Sequence, residues 1–217
     1  QGVIEGRHTF GNMMKYIKMA VSGNFGNMIS VIIASLFLPF LPMLPIQLLA
    51  QNLLNDFSQL GIPFDNVDDE YVLTPQKWKP KSIETFMMVM GPVSSIFDVL
   101  CFIVLWYIMG FNDASLAPYF WAGWFVFGTV SQVLIIYLIR TAKRPFIDSF
   151  PSVSLLISTG MVVIIALIIG FSDLAIALDM SHLPPQYGVW LLLLCIAYAL
   201  TVQFIKTIYK KKFNEWI

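Results

Sequence analysis

The chain has 217 residues, of which 58% are hydrophobic and only 12% are charged, whereas about 25% charged residues is usual for a soluble domain. A soluble domain with this composition would have to expose large apolar patches, so the composition excludes an ordinary soluble protein and favours a membrane protein. The 13 Lys and Arg residues balance the 13 Asp and Glu residues, and this neutral balance gives no reason to expect a nucleic acid partner.

Six stretches are long and apolar enough to form membrane-spanning helices, because about 20 residues cross the hydrocarbon core. In chain order they cover residues 19–38, 44–61, 82–109, 119–139, 153–171 and 188–208. Pro39, Pro42 and Pro45 predict a tight turn between the first two spans, and Ser82 is the expected N-cap of the third. We therefore predict an all-α fold, a polytopic membrane helix bundle with six transmembrane helices.

The basic residues lie in four clusters that are separated by pairs of apolar spans. The clusters are Arg7, Lys15 and Lys18; Lys77, Lys79 and Lys81; Arg140, Lys143 and Arg144; and Lys206, Lys210, Lys211 and Lys212. This positive-inside pattern predicts that all four clusters and both termini face the cytoplasm. The chain then divides into a cytoplasmic stalk at 1–18, a six-helix transmembrane domain at 19–209 in contact with membrane lipid, and a cytoplasmic tail at 210–217.

Polar residues concentrate in the first two spans, although each costs free energy in hydrocarbon. Asn52, Asn55, Asp56 and Gln59 stand at helical spacings in the second span and share one face. Asn24 and Asn27 share a face of the first span in the same way. Because the short turn makes the two spans antiparallel neighbours, we expect their polar faces to enclose an oxygen-rich cavity.

The facing polar residues of these two spans, with Asp56 as an acid among amides, predict a cation site in the cavity between them. Amide and carboxylate oxygens are hard ligands that suit Mg²⁺ or Ca²⁺ rather than soft metals. We also expect an unwound backbone between Asn52 and Asp56, which would offer carbonyl oxygens to the ion. The alternative is that the amides form only the interhelical hydrogen bonds that hold membrane helices together.

Three further features leave alternatives open at this stage. Asp98 in the third span is either a proton or water-contact site or a structural acceptor. The acidic run at 65–70 is either a solvated loop or a regulatory metal site. Cys101 and Cys195 both lie within predicted spans, where we expect buried free thiols rather than a disulfide.

Several motifs resemble segments of the P-type cation ATPases. Ser22-Gly23-Asn24-Phe25-Gly26-Asn27 is similar to the fifth membrane helix of that family, and Asn52-Leu53-Leu54-Asn55-Asp56 is similar to the sixth. Pro63-Phe64-Asp65-Asn66-Val67-Asp68 and Gly91-Pro92-Val93-Ser94-Ser95-Ile96-Phe97-Asp98 resemble the magnesium-transporting branch found in bacteria. The resemblance covers essentially the whole chain and implies helices five to ten of a larger pump in the bacterial inner membrane.

The resemblance implies a translocase that imports Mg²⁺ into the cytoplasm, with ATP used only in the longer parent chain. Asn24, Asn27, Asn52, Asn55 and Asp56 match positions at which calcium-pump relatives bind ions, so the resemblance implies these five as the cation ligands. Asn27 stands where those pumps have a carboxylate. A site with one acid fewer suits Mg²⁺, which dehydrates reluctantly and keeps several waters.

The phosphorylation motif Asp-Lys-Thr-Gly-Thr, the motif Thr-Gly-Glu and the motif Gly-Asp-Gly-x-Asn-Asp do not occur in this sequence. We therefore expect this segment to be unable to hydrolyse ATP by itself and to depend on the remaining membrane helices and cytoplasmic domains of the pump. The alternatives are a self-contained secondary cation transporter or channel, a membrane scaffold, and a calcium or manganese pump of the same family.

Overall fold

The structure is a computed structural model that describes residues 2–213 and Trp216, and within these residues the regular structure is entirely helical. The α-helices are α1 (Gly2–Phe37), α2 (Pro45–Gln59), α3 (Asp69–Leu73), α4 (Pro80–Ile103), α5 (Ala117–Ile139), α6 (Val153–Phe171) and α7 (Gln186–Phe213). Short 3₁₀ helices cover Ile62–Phe64, Ala114–Leu116 and Asp173–Leu178, and a π-helical turn at Val104–Ile108 extends α4. The all-α prediction is confirmed.

Five helices are long and apolar enough to cross a membrane. They are Gly2–Phe37, Pro80–Ile108, Ala114–Ile139, Val153–Phe171 and Gln186–Phe213. The remaining candidate, α2, has 15 residues, fewer than the roughly 20 residues that a crossing needs. Its length is about 22 Å. The described helices thus bear out five of the six predicted crossings by length and composition, and the sixth stays a prediction.

Two helix starts differ from the predicted boundaries. The predicted stalk and the first span form one uninterrupted helix, α1. The prediction of Ser82 as an N-cap is wrong, because α4 begins at Pro80 and its N-cap is Lys79, three residues before Ser82. Proline favours the first helical position because its fixed φ suits the helix and the N–H that it lacks would be unpaired there. Gln1 of the predicted stalk and residues 214, 215 and 217 of the predicted tail lie outside the described residues.

The basic clusters meet at one end of the bundle, which we call the basic end. Lys15 and Arg140 both contact Asp65 there, at 2.9 and 2.7 Å. Lys210 donates a hydrogen bond to the backbone oxygen of Ala142 at 2.7 Å. The start of α4, with Lys79 and Lys81, lies beside the end of α7. The four basic clusters that the predicted topology places on one side of the membrane therefore lie at one end of the folded bundle.

The first two helices pack mainly against different neighbours. α1 lies along α4, whereas α2 lies against α6 and α5. Gly26 permits the first of these contacts, since a Cβ there would lie 3.0 Å from the oxygen of Gly91, and Ser95 donates a hydrogen bond to the oxygen of Gly26 at 2.8 Å. This arrangement leaves a space between the polar faces of α1 and α2.

Candidate cation site

A cavity of about 260 Å³ lies between α1 and α2, beside α5. Its lining includes all five residues that the sequence predicts as cation ligands: Asn24 and Asn27 from α1, and Asn52, Asn55 and Asp56 from α2. Helical spacing places the members of each set on one face of their helix. The two polar faces thus border a common space, although α1 and α2 have other helices as their main packing partners.

The predicted unwinding between Asn52 and Asp56 is wrong. α2 is a continuous α-helix from Pro45 to Gln59, and the carbonyls inside an α-helix accept hydrogen bonds from its own N–H groups. The oxygens that this part of α2 offers to the cavity are therefore those of its side chains. The irregular backbone comes after the helix, at the 3₁₀ turn Ile62–Phe64.

Two amide oxygens in the cavity lining are buried without a hydrogen-bond partner among the described residues, namely Asn55 Oδ1 and Gln59 Oε1. Asn55 is only 8% exposed. Leaving a buried acceptor unpaired costs about 1–3 kcal/mol, so both oxygens favour occupation of the cavity by water or a cation. Asn24, Asn52 and Asp56 are exposed on the open side of the cavity.

The lining also contains three residues with polar side chains that are not among the five predicted ligands: Tyr16, Gln59 and Gln132. Gln132 comes from α5 and lies against Gly23, where a Cβ would be 2.8 Å from its Oε1. Its sequence signal is the one amide side chain within the predominantly apolar span 119–139. Gln59 continues the face of α2 that carries Asn52 and Asn55, and its helical spacing was a signal for the site.

The donor set contains amides with a single acid. Within residues 2–213 and Trp216, no group of three or more His, Cys, Asp or Glu side chains is arranged to hold a metal ion. Asp56 is the one carboxylate among the described residues that line the cavity. Such a set can surround a hard cation that keeps part of its hydration shell, as Mg²⁺ commonly does.

Other polar residues of α2 hold the bundle together. Gln47 donates a hydrogen bond from Nε2 to the oxygen of Leu178 at 2.9 Å, and its Oε1 accepts one from the backbone N–H of Leu44 at 2.8 Å. Gln51 packs against Gly128, where a Cβ would lie 2.2 Å from Nε2. The interhelical hydrogen-bond alternative therefore describes Gln47, which lies outside the cavity lining.

Asp98 is buried where α1, α4 and α5 meet. Its Oδ2 accepts a hydrogen bond from Ser30 at 2.5 Å, and its Oδ1 accepts one from Trp124 Nε1 at 3.2 Å. It does not line the cavity between α1 and α2. These contacts favour the structural-acceptor alternative for Asp98.

The acidic run after α2 is solvated only in part, because Asp69 and Glu70 are exposed whereas Asp65 is buried. Asp65 is 5% exposed and accepts hydrogen bonds from Lys15 at 2.9 Å, Arg140 at 2.7 Å and the backbone N–H of Ser152 at 3.1 Å. Burial raises the pKa of Asp65, but the hydrogen bonds and charges of Arg140 and Lys15 outweigh burial and hold that pKa below its usual value. We call these four residues the Asp65 network.

Cys101 and Cys195 are both free thiols, and the expected burial is found for Cys101, whereas Cys195 is only partly buried. Cys101 is fully buried and lies 3.4 Å from the hydroxyl of Tyr187.

The fold and the cavity define a class: a helical, membrane-spanning protein with a polar cavity that offers one carboxylate and several amide oxygens. Residues 40–208 match the family model described as "Cation transporting ATPase, C-terminus". The chain belongs to this family.

Curated relatives match nearly the whole chain. It is 49% identical over 214 residues to the "Magnesium-transporting ATPase, P-type 1" of Escherichia coli (strain K12), and 47% identical over 214 residues to the protein of the same name from Salmonella typhimurium (strain 14028s / SGSC 2262). A further relative of that name from Salmonella typhimurium (strain LT2) is 44% identical over 216 residues. The matches cover 99–100% of this chain but 24% of each relative, so the chain spans about a quarter of their length.

Proposed function

We propose that this chain is the ion-translocating membrane segment of an ATP-driven magnesium importer, and that Mg²⁺ is the transported ion. The observation that carries the proposal is the cavity between α1 and α2, where all five predicted ligands meet and only Asp56 is acidic. The name of the relatives, a magnesium-transporting ATPase, supports the same ion.

The proposed ligands are Asn24, Asn27, Asn52, Asn55 and Asp56, which all line that cavity. A cavity of about 260 Å³ leaves room for an ion with several of its waters. This suits Mg²⁺ because it dehydrates reluctantly and prefers oxygen ligands in octahedral geometry. The unpartnered oxygen of Asn55 gains an electropositive partner when the cation or its water is bound.

We further propose six crossings, with α2 as the second. α1 rises by about 33 Å between Lys15 and Phe37, and Asp65, shortly after α2, lies 2.9 Å from Lys15. The chain therefore returns over about the thickness of the hydrocarbon core between Phe37 and Asp65. α2 and the short turns around it cover that distance.

The positive-inside rule orients this six-helix domain with its basic end in the cytoplasm of a bacterial cell, in the inner membrane. Both termini then lie in the cytoplasm. The domains remain those expected from the sequence: a stalk at 1–18, a transmembrane domain at 19–209 that contacts lipid, and a tail at 210–217.

The partners of this segment in the proposed pump are the remaining membrane helices and the cytoplasmic domains. ATP would be hydrolysed in those domains, so the enzyme is the whole translocase rather than this segment. Exposed Asn24, Asn52 and Asp56 support the proposal that other helices cover the open side of the cavity, because a carboxylate that faces hydrocarbon is costly. Movement of α1 through its stalk would open and close the site.

Mg²⁺ uptake by cells that carry the full-length pump tests this function. We expect Asp56→Asn to abolish most uptake at matched protein abundance, because the substitution removes the one carboxylate of the lining. Asp69→Asn is the control, since it removes an exposed carboxylate outside the cavity.

Unchanged uptake by the Asp56→Asn variant would make Asp56 structural and overturn the proposed site. Preferential uptake of Ca²⁺ or Mn²⁺ by the wild type would assign a different pump of the same family. Ion flux through this segment alone in liposomes, without ATP, would assign a secondary transporter or channel.

A further inference from the structure

A second cavity, of about 570 Å³, continues from the cation cavity towards the basic end. It is lined by Thr9, Asn12, Met13, Tyr16, Asp56, Gln59, Leu60, Ile62 and Pro63. Three of these side chains, Tyr16, Asp56 and Gln59, also line the cation cavity, so the two spaces adjoin. Along α1 the lining extends from Thr9 to Asn27, a rise of about 27 Å.

Unpartnered amide oxygens follow one another along both cavities. Asn12 is 5% exposed, and its Nδ2 donates hydrogen bonds to the oxygens of Pro63 at 3.0 Å and Asp65 at 2.8 Å. These two bonds fix the amide orientation and leave Asn12 Oδ1 without a partner in the described part of the chain. Gln59 Oε1 occupies the shared part of the lining, and Asn55 Oδ1 belongs to the cation cavity.

We propose that the two cavities form a water-filled passage through which Mg²⁺ leaves the cation cavity for the cytoplasm, with Gln59 and then Asn12 as successive oxygen contacts. This inference rests on the proposed function. Buried acceptors without protein partners gain from contact with water or a hydrated cation. The apolar side chains of the outer cavity, including Met13 and Ile62, cannot coordinate the ion, so a site there binds it weakly enough to release it.

Thiol accessibility in the full-length pump tests the passage. In a background without other cysteines, one variant carries Gln59→Cys and the matched control carries Phe57→Cys. Phe57 is also on α2 and is 51% exposed, but it lines neither cavity. Inside-out membrane vesicles are treated with membrane-impermeant methanethiosulfonate reagents, one cationic and one anionic.

We expect the cationic reagent to modify the Gln59→Cys variant about tenfold faster than it modifies the Phe57→Cys variant. The cationic reagent should also modify the Gln59→Cys variant faster than the anionic reagent does, because the carboxylate of Asp56 in the lining attracts cations. Mg²⁺ in the medium should slow this reaction, and modification should block uptake. Slow modification of both variants, or a rate that Mg²⁺ and reagent charge do not affect, would overturn the passage. These outcomes would overturn the passage even if Asp56→Asn abolishes uptake, so failure of the passage is distinct from failure of the proposed function.

A second variant keeps the proposal testable where the cysteine variant folds poorly. Gln59→Leu removes the unpartnered oxygen at similar size and breaks no hydrogen bond of Gln59 Oε1. We expect a several-fold fall in uptake at unchanged protein abundance. Uptake equal to wild type would overturn the role of Gln59 in the passage.

Discussion

Replacing Asp65 by alanine removes the carboxylate on which α1, α5 and the start of α6 converge. The Asp65 side chain is 0% exposed, and the side chains of Lys15 and Arg140 are each 1% exposed. Asp65→Ala would leave two buried cations without their carboxylate, and breaking such a pair costs about 3–5 kcal/mol. Lys15 keeps a hydrogen bond to the oxygen of Asn66 at 2.6 Å, and Arg140 likewise keeps backbone acceptors, so we expect a loss of about 3 kcal/mol.

The measurement is thermal unfolding of the purified protein in detergent, followed by far-ultraviolet circular dichroism. For a chain of this size, about 3 kcal/mol corresponds to a fall in Tm of roughly 6–12 °C. Asp148→Ala is the matched control, because Arg144 and Asp148 form a pair of 2.8 Å whose side chains are 66% and 36% exposed. Exposed pairs contribute little to stability, so equal Tm shifts in the two variants would refute the assignment of the Asp65 network as a buried structural element.

Two further predictions follow from the same structure. The pKa of Asp65 is held below its usual 3.8 by Arg140 and Lys15 against the effect of burial; its contribution to stability is therefore present above pH 3.8 and lost as the pH falls through the lowered pKa. Tm measured across acidic pH should fall less steeply for Asp65→Ala than for wild type, and parallel curves would contradict the pKa shift. Gly61→Ala should lower Tm because its Cβ would lie 2.5 Å from the Cα of Leu155, at a cost of about 1–3 kcal/mol. In the control Gly160→Ala, the added Cβ meets nothing within 4 Å, and the substitution should raise stability by about 0.5–1 kcal/mol through helix propensity. A higher Tm for Gly61→Ala than for Gly160→Ala would be inconsistent with close packing between the end of α2 and α6.

The sequence was sufficient to predict the helices and the polar faces because both depend on local periodicity. Apolar length sets the spans, and the spacing of Asn52, Asn55 and Asp56 sets a face of α2. The predicted break in α2 failed because nothing in the local sequence requires one, and the cavity supplies side-chain oxygens where carbonyls were expected.

Long-range pairing was the part that local sequence could not supply. Asp65 stands in an acidic run that reads as solvated, yet its partners Lys15 and Arg140 are 50 and 75 residues away in the chain. Gln132 joins the cavity from α5 for a similar reason, since only tertiary packing brings it against Gly23. Single-sequence reasoning identifies which residues are unusual, but their partners depend on how the helices pack.

The space between α1 and α2 follows from close helix contacts made elsewhere in the bundle. Gly26 and Gly91 let α1 approach α4, and a Cβ at Gly91 would lie 2.6 Å from the ring of Phe25. Gly61 similarly brings the end of α2 against Leu155 of α6. Because protein interiors are closely packed, two helices held tightly by different neighbours leave a gap where their own faces would otherwise meet. The small residues at those contacts thus separate the polar faces of α1 and α2, and the separation leaves the amide and carboxylate oxygens accessible.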